Sequence, residues 1–157
     1  MNKNRAGFTL IEMVVVVLIM GILASIGVPY YYKTVETSKA TDSVAIGHML
    51  GNAYRMFQLD NPGASLNGQV TNGCNSGACS TGDTSACRLV RCNYVARQDW
   101  GASAYNFYVG AGSCGGGNVS CTRRGSGASA NYSGWGYNFS DTGSCSPRSS
   151  APDCPKF

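Results

Sequence analysis

Histidine occurs once in this 157-residue chain, at position 48, and acidic side chains occur only eight times. No Ser-His-Asp or Cys-His arrangement is suggested around His48, which reads as a helix-surface or packing residue. The run Gly115-Gly116-Gly117 lacks the Lys-Ser/Thr ending of a phosphate loop. No enzyme and no cofactor are expected. Aliphatic residues are equally scarce in the C-terminal part. From Asp60 to Phe157 there are seven Ile, Leu or Val residues (66, 70, 89, 90, 95, 109 and 119) against sixteen glycines. So thin a supply excludes a domain held by core burial alone, even with the aromatics from Trp100 to Phe139 added. The net charge is +4, and two of the cations, Lys3 and Arg5, precede a long apolar run. Without them the chain is only mildly basic, which does not argue for nucleic acid or a strongly acidic partner.

Cysteine is what the chain has instead. Cys74, Cys79, Cys87, Cys92, Cys114, Cys121, Cys145 and Cys154 all lie beyond the apolar run. An even number in a small Gly-rich region behind an export-type N-terminus predicts four disulfides and an oxidising compartment. Each would contribute roughly 2–4 kcal/mol. Zinc binding is disfavoured, because four residues separate Cys74 from Cys79 and Cys87 from Cys92, against two in many zinc knuckles.

Three blocks organise the chain. Residues 1–7 are a short polar, basic leader. Residues 8–32, FTLIEMVVVVLIMGILASIGVPYYY, are an apolar segment whose only charge is Glu12. As a helix it spans roughly 37 Å, enough to cross a bilayer. The basic side chains place its start in the cytoplasm, and Tyr30, Tyr31 and Tyr32 fit an interfacial belt. Beyond Lys33 the pattern turns amphipathic, with Ala45, Met49, Ala53, Met56 and Phe57 at three- and four-residue steps. Asp60-Asn61-Pro62-Gly63 predicts the stop. One helix from Phe8 to about Leu59 would be roughly 78 Å long, so its first half needs lipid or other chains around it. Pro29 removes a backbone donor and crowds the Ser25 carbonyl, and Gly21 and Gly27 lie upstream. A kink or softened stretch is expected between Gly21 and Pro29. The third part of the sequence, roughly 64–157, reads as short antiparallel strands and loops, with one sheet face packed on the helix. Tyr105–Val109, Trp135–Ser140 and Leu89–Val95 are the strand candidates. Residues 110–117 are expected to be loop, and the tail from Ser144 a disulfide-pinned loop. The fold class is α+β, with 33–157 as the extracytoplasmic head.

An ionised carboxylate in hydrocarbon is unfavourable by roughly 2.5–3.5 kcal/mol at a helix centre, so Glu12 requires a partner. A cut between Gly7 and Phe8 would create one. The new α-amine of Phe8 would be a cation about one turn from Glu12, and between staggered chains the pair would set registry.

Gly7-Phe8-Thr9-Leu10-Ile11-Glu12 resembles the processing motif of type IV pilins and related pseudopilins. The match covers about residues 1–35 and joins a basic leader, glycine before phenylalanine, an acid five residues into the mature chain and a long apolar run. Gly21 and Pro29 also fit. The third part is similar in architecture only: a long helix, a sheet and a cysteine-bounded loop from Cys145 to Cys154. The resemblance implies cleavage after Gly7 by a prepilin peptidase and methylation of the Phe8 amine. It further implies residence in the inner membrane, then extraction by an assembly machine into a helical polymer of copies of itself, found as an extracellular pilus. Cysteine connectivity is one of roughly a hundred possibilities; near-neighbour pairing (Cys74–Cys79, Cys87–Cys92, Cys114–Cys121, Cys145–Cys154) is the first expectation.

Other readings carry less. Ser25-Ile26-Gly27 offers a signal-peptide cleavage site, but the apolar run is too long and Glu12 interrupts it. A pseudopilin of a type II secretion system is the alternative within the resemblance; Asp141 and Asp153 could contribute to the calcium loop usual there, without a dense carboxylate cluster. Arg88, Arg91, Arg97, Arg123 and Arg124 beside aromatics suggest contact with DNA only weakly against ordinary solvated arginines. Asn118, Asn131 and Asn138 each open an N-glycosylation pattern, which alone is weak.

Overall fold

A computed structural model describes residues 8–155. The expected leader, with Gly7, lies outside them. The chain divides into two compact units, one ending at Glu36 and one beginning at Thr37. Helix α1, Leu10–Asp60, contributes to both. It continues without interruption through Gly21, Gly27 and Pro29.

In the first unit the apolar side chains have no internal cover. Phe8 is 79% and Leu10 82% exposed, and the most apolar 18-residue stretch of the helix is 0% buried. Length and composition suffice to cross a membrane.

In the second unit α1 buries one face, made of Ala40, Val44, Leu50, Ala53, Tyr54 and Phe57. The expected apolar face was placed partly on the wrong side. Ala53 and Phe57 are buried, but Ala45, Met49 and Met56 are exposed. Apolar residues occur on both sides of this helix, so periodicity alone does not set the phase. Two glycines on the sheet side do. A β-carbon on Gly47 would lie 2.2 Å from the Phe139 ring, and one on Gly51 would lie 3.1 Å from the Ser120 hydroxyl. The close approach lets the Ser120 hydroxyl donate to the Gly47 carbonyl at 2.9 Å. The helix ends where predicted: Asn61 N–H and its side-chain amide both donate to the Phe57 carbonyl, at 2.9 and 3.0 Å.

The sheet is a five-stranded antiparallel meander in the order β1 Gly68–Val70, β2 Tyr105–Val109, β3 Asn118–Arg124, β4 Gly136–Ser140 and β5 Cys145–Arg148. Tyr105, Phe107 and Val109 on β2, Ser120 and Thr122 on β3, and Tyr137 and Phe139 on β4 form its buried face. The architecture is therefore α+β, with the helix packed on one face of an antiparallel sheet, as expected.

Several local expectations are corrected. Leu89–Val95 is not a strand; Arg88–Arg91 forms a one-turn helix, α2, inside a turn. Leu89 and Val90 are adjacent and both buried, which a half-exposed strand does not permit. The run 110–117 contains a second short helix, α3, at Ala111–Cys114. The tail begins as strand β5 on the β4 edge before it becomes a loop.

Four disulfides tie the loops. Cys114–Cys121 and Cys145–Cys154 pair as near neighbours. The other two do not: Cys74 joins Cys87 and Cys79 joins Cys92. The cause is α2. Cys87 and Cys92 stand at its two caps, on either side of the turn, and each reaches a different cysteine of the 74–79 segment. Buried Arg88 completes the knot by stacking over Phe57 at 4.8 Å and donating to Asn61 Oδ1 at 3.1 Å.

Candidate functional site: the capped start of the apolar helix

The chain enters α1 through Thr9. Its carbonyl accepts the first helical bond, from Met13 N–H at 3.3 Å. Three residues on, the Glu12 carboxylate folds back: its Oε2 accepts from Thr9 N–H and from the Thr9 hydroxyl, both at 2.8 Å. Glu12 N–H points to Thr9 Oγ1 at 3.4 Å. This is a reciprocal capping box, in which two otherwise unpaired amides of the first turn are satisfied. The negative charge also sits at the positive end of the helix dipole.

Thr9 is the residue that sequence reasoning missed. The signal was present, since Thr-x-x-Glu ahead of an apolar run is a helix-start signature. Both hydrogen bonds from Thr9 fall on Oε2, so Oε1 carries none among the described residues. The expected Phe8–Glu12 ion pair needs a free amine at Phe8, which the uncut sequence does not present.

The remaining sequence-predicted residues are placed as follows. Gly21 and Gly27 have nothing within 4 Å of where a β-carbon would be, so nothing inside the chain requires them to be glycine. His48 packs edge-on against Phe139, with ring centroids 4.7 Å apart. The five arginines do not act as one patch. Arg91 pairs with Asp83 at 3.0 Å inside the disulfide loop, and Arg88 is buried there. Arg97 is exposed, while Arg123 and Arg124 belong to β3. Asp141 lies in the β4–β5 turn and Asp153 in the loop before Cys154; among the described residues no group of three or more potential metal ligands gathers. Of the three asparagines, Asn131 is exposed in a turn, and Asn118 and Asn138 sit in strands.

A capped, uncovered apolar helix, an antiparallel sheet on the helix's later part and a disulfide-bounded C-terminal loop make an α+β architecture of the kind the pilin resemblance implies. The comparisons place its N-terminus more closely. Residues 2–28 match the family described as "Prokaryotic N-terminal methylation motif", the type IV pilin signal. The chain is 44% identical over 60 residues to the type II secretion system core protein G of Aeromonas hydrophila, covering 38% of this chain and 42% of that protein. The corresponding protein of Vibrio cholerae is 42% identical over 59 residues, or 38% of this chain and 40% of that one. Type IV major fimbrial protein FimA of Dichelobacter nodosus is 32% identical over 93 residues, or 52% of this chain and 60% of FimA. The chain thus spans less than half the length of the secretion relatives it matches. No solved structure matches it.

Proposed function

We propose that this chain is a structural subunit that polymerises through its N-terminal helix into a type IV pilus. The observation that carries the reading is the uncovered apolar segment of residues 8–32 headed by Glu12, whose Oε1 carries no hydrogen bond among the described residues. Apolar surface of that extent is unfavourable in water. Lipid covers it before assembly, in the inner membrane, and copies of the same helix cover it afterwards. Prepilin peptidase cuts between Gly7 and Phe8, and the amine of Phe8, methylated, becomes the cation for Glu12 of a neighbouring subunit. Thr9 holds one carboxylate oxygen and leaves the other for that contact. Gly21, Gly27 and Pro29 supply the segment that loosens when helices pack. Residues 33–157 form the head carried on the fibre, and the chain acts without chemistry of its own.

A second reading, a pseudopilin of a type II secretion apparatus, is favoured by the higher identity to core protein G. The longer match to FimA, which extends over half of this chain, and the four disulfides of the head favour the fibre exposed at the surface. Deleting the gene separates the two. Loss of surface fibres in electron micrographs with protein export intact supports the pilus; intact fibres with export stopped supports the pseudopilus and reverses the proposal.

A further inference from the structure

One pocket of the head carries charge of a single sign. It opens beside α1 at Asp42 and Ile46, under the segment 98–103 that leads into β2, and encloses about 420 Å³. Ile46, Trp100 and Phe107 supply its apolar wall, the two rings in edge contact at 5.9 Å. Asp42 and Asp99 line the same space, and no Lys, Arg or His does. Asp42 is exposed and makes no hydrogen bond or ion pair among the described residues. Asp99 accepts from Asn72 Nδ2 at 2.8 Å and from Gly101 N–H at 3.0 Å. Those uncharged donors hold its carboxyl below the usual carboxylate range without neutralising it. Two carboxylates beside an apolar wall suit a basic side chain, whose alkyl stem packs while its charged end stays at the mouth.

The same head offers a cation to match. Arg55, Arg88, Arg91, Arg123 and Arg124 each donate to a group within the head. Lys33 and Lys39 have partners as well. Arg97 and Arg148 are exposed, and neither guanidinium makes a hydrogen bond or ion pair among the described residues. Arg97 stands two residues from Asp99. Two copies exchanging that arginine meet face to face and close as a pair. Arg148 ends β5, three strand steps from Phe107 on β2, or about 14 Å across the sheet. Giver and receiver therefore lie on different flanks of the head, so one copy gives to a second while it receives from a third. A heterologous contact of this kind builds an open row of copies.

We propose that the pocket lined by Asp42 and Asp99 receives Arg148 of a second copy. The inference rests on the polymer reading above and adds a head-to-head contact to the packing of the apolar helices. The guanidinium donates to the carboxylates, and its stem covers the Ile46 side of the wall.

The test uses fibres sheared from cells that produce the full chain, with yield compared at equal amounts of mature subunit. Asp42→Arg and Arg148→Asp each lower the yield about fivefold, and the two together restore it. Asp42→Arg with Arg97→Asp stays low. Asp42→Asn and Arg148→Gln, as second variants, also lower the yield while the membrane-held subunit keeps all four disulfides, which separates lost contact from lost folding. In Arg148→Lys fibres, a carbodiimide condenses the amine with a carboxylate, forming an amide with loss of water. Peptide mapping of the dimer-sized product finds position 148 joined to Asp42 or Asp99. Full yield from Arg148→Asp would overturn the proposal. So would restoration by Arg97→Asp, failure of the double exchange to restore yield, or linkage of position 148 to Asp141 or Asp153 alone. Wild-type fibres that lack this chain would instead refute the polymer reading itself.

Discussion

Thr9 and Glu12 close on each other at the head of α1, with the Thr9 N–H and hydroxyl both 2.8 Å from one carboxylate oxygen. The cap orients the acid before any second chain arrives. If that orientation serves assembly, Thr9→Val lowers filament yield severalfold while leader removal continues, and Thr9→Ser restores the yield, because serine keeps the hydroxyl. Mature N-terminal sequencing and the mass of sheared fibres measure the two effects separately. Glu12→Ala likewise leaves cleavage largely intact and reduces filaments.

The glycines of α1 divide by neighbourhood. Gly47→Ala drives a methyl group into the buried Phe139 ring and costs about 1–3 kcal/mol. Gly21→Ala meets nothing within the chain and leaves the unfolding of the micelle-bound monomer unchanged. Thermal unfolding in detergent compares the pair.

The crossed disulfides differ in access. Cys79 is exposed, whereas Cys74 is fully buried. Limiting reductant opens Cys79–Cys92 before Cys74–Cys87, which mass mapping of trapped thiols detects. Removing both cysteines of the buried bridge destabilises the head by about 2–4 kcal/mol.

Asp83 supplies an acid-sensitive contact. The Ser85 hydroxyl chiefly, then Ser85 N–H and Arg91, hold its carboxyl below the usual carboxylate range, against the opposing effect of burial. A depressed folded pKa stabilises above the unfolded value, near pH ~4, and that stability disappears as pH falls through the folded value. Asp83→Asn therefore costs about 1 kcal/mol or less at neutral pH, and the difference from wild type closes below pH ~4. Denaturant unfolding across pH 2–7 measures it.

Much of this was legible in the chain. The end of α1 follows from Asn61-Pro62-Gly63, and β2 and β4 from alternating aromatics that share one buried face. β3 was not anticipated: Asn118–Arg124 is buried through Ser120, Cys121 and Thr122, so burial there does not follow apolar alternation. The crossing of Cys74–Cys87 with Cys79–Cys92 depends on a single turn of helix whose Leu-Val core resembles a strand. Strand β5 follows from its pairing with β4, which the residues of the tail from Ser144 do not display by alternation. At the candidate site, Glu12 was conspicuous as a charge among apolar residues. Thr9 was overlooked because its role is local and its residue type is ordinary.

The central claim is that the apolar helix beginning at Phe8 is covered by copies of itself. Intact-mass and N-terminal analysis of the principal subunit in purified surface fibres tests it most directly. The account predicts this chain, oxidised at all eight cysteines and starting at a methylated Phe8. A soluble monomer whose first residue is Val28, with the helix segment before it cut away and no fibres containing it, would contradict it.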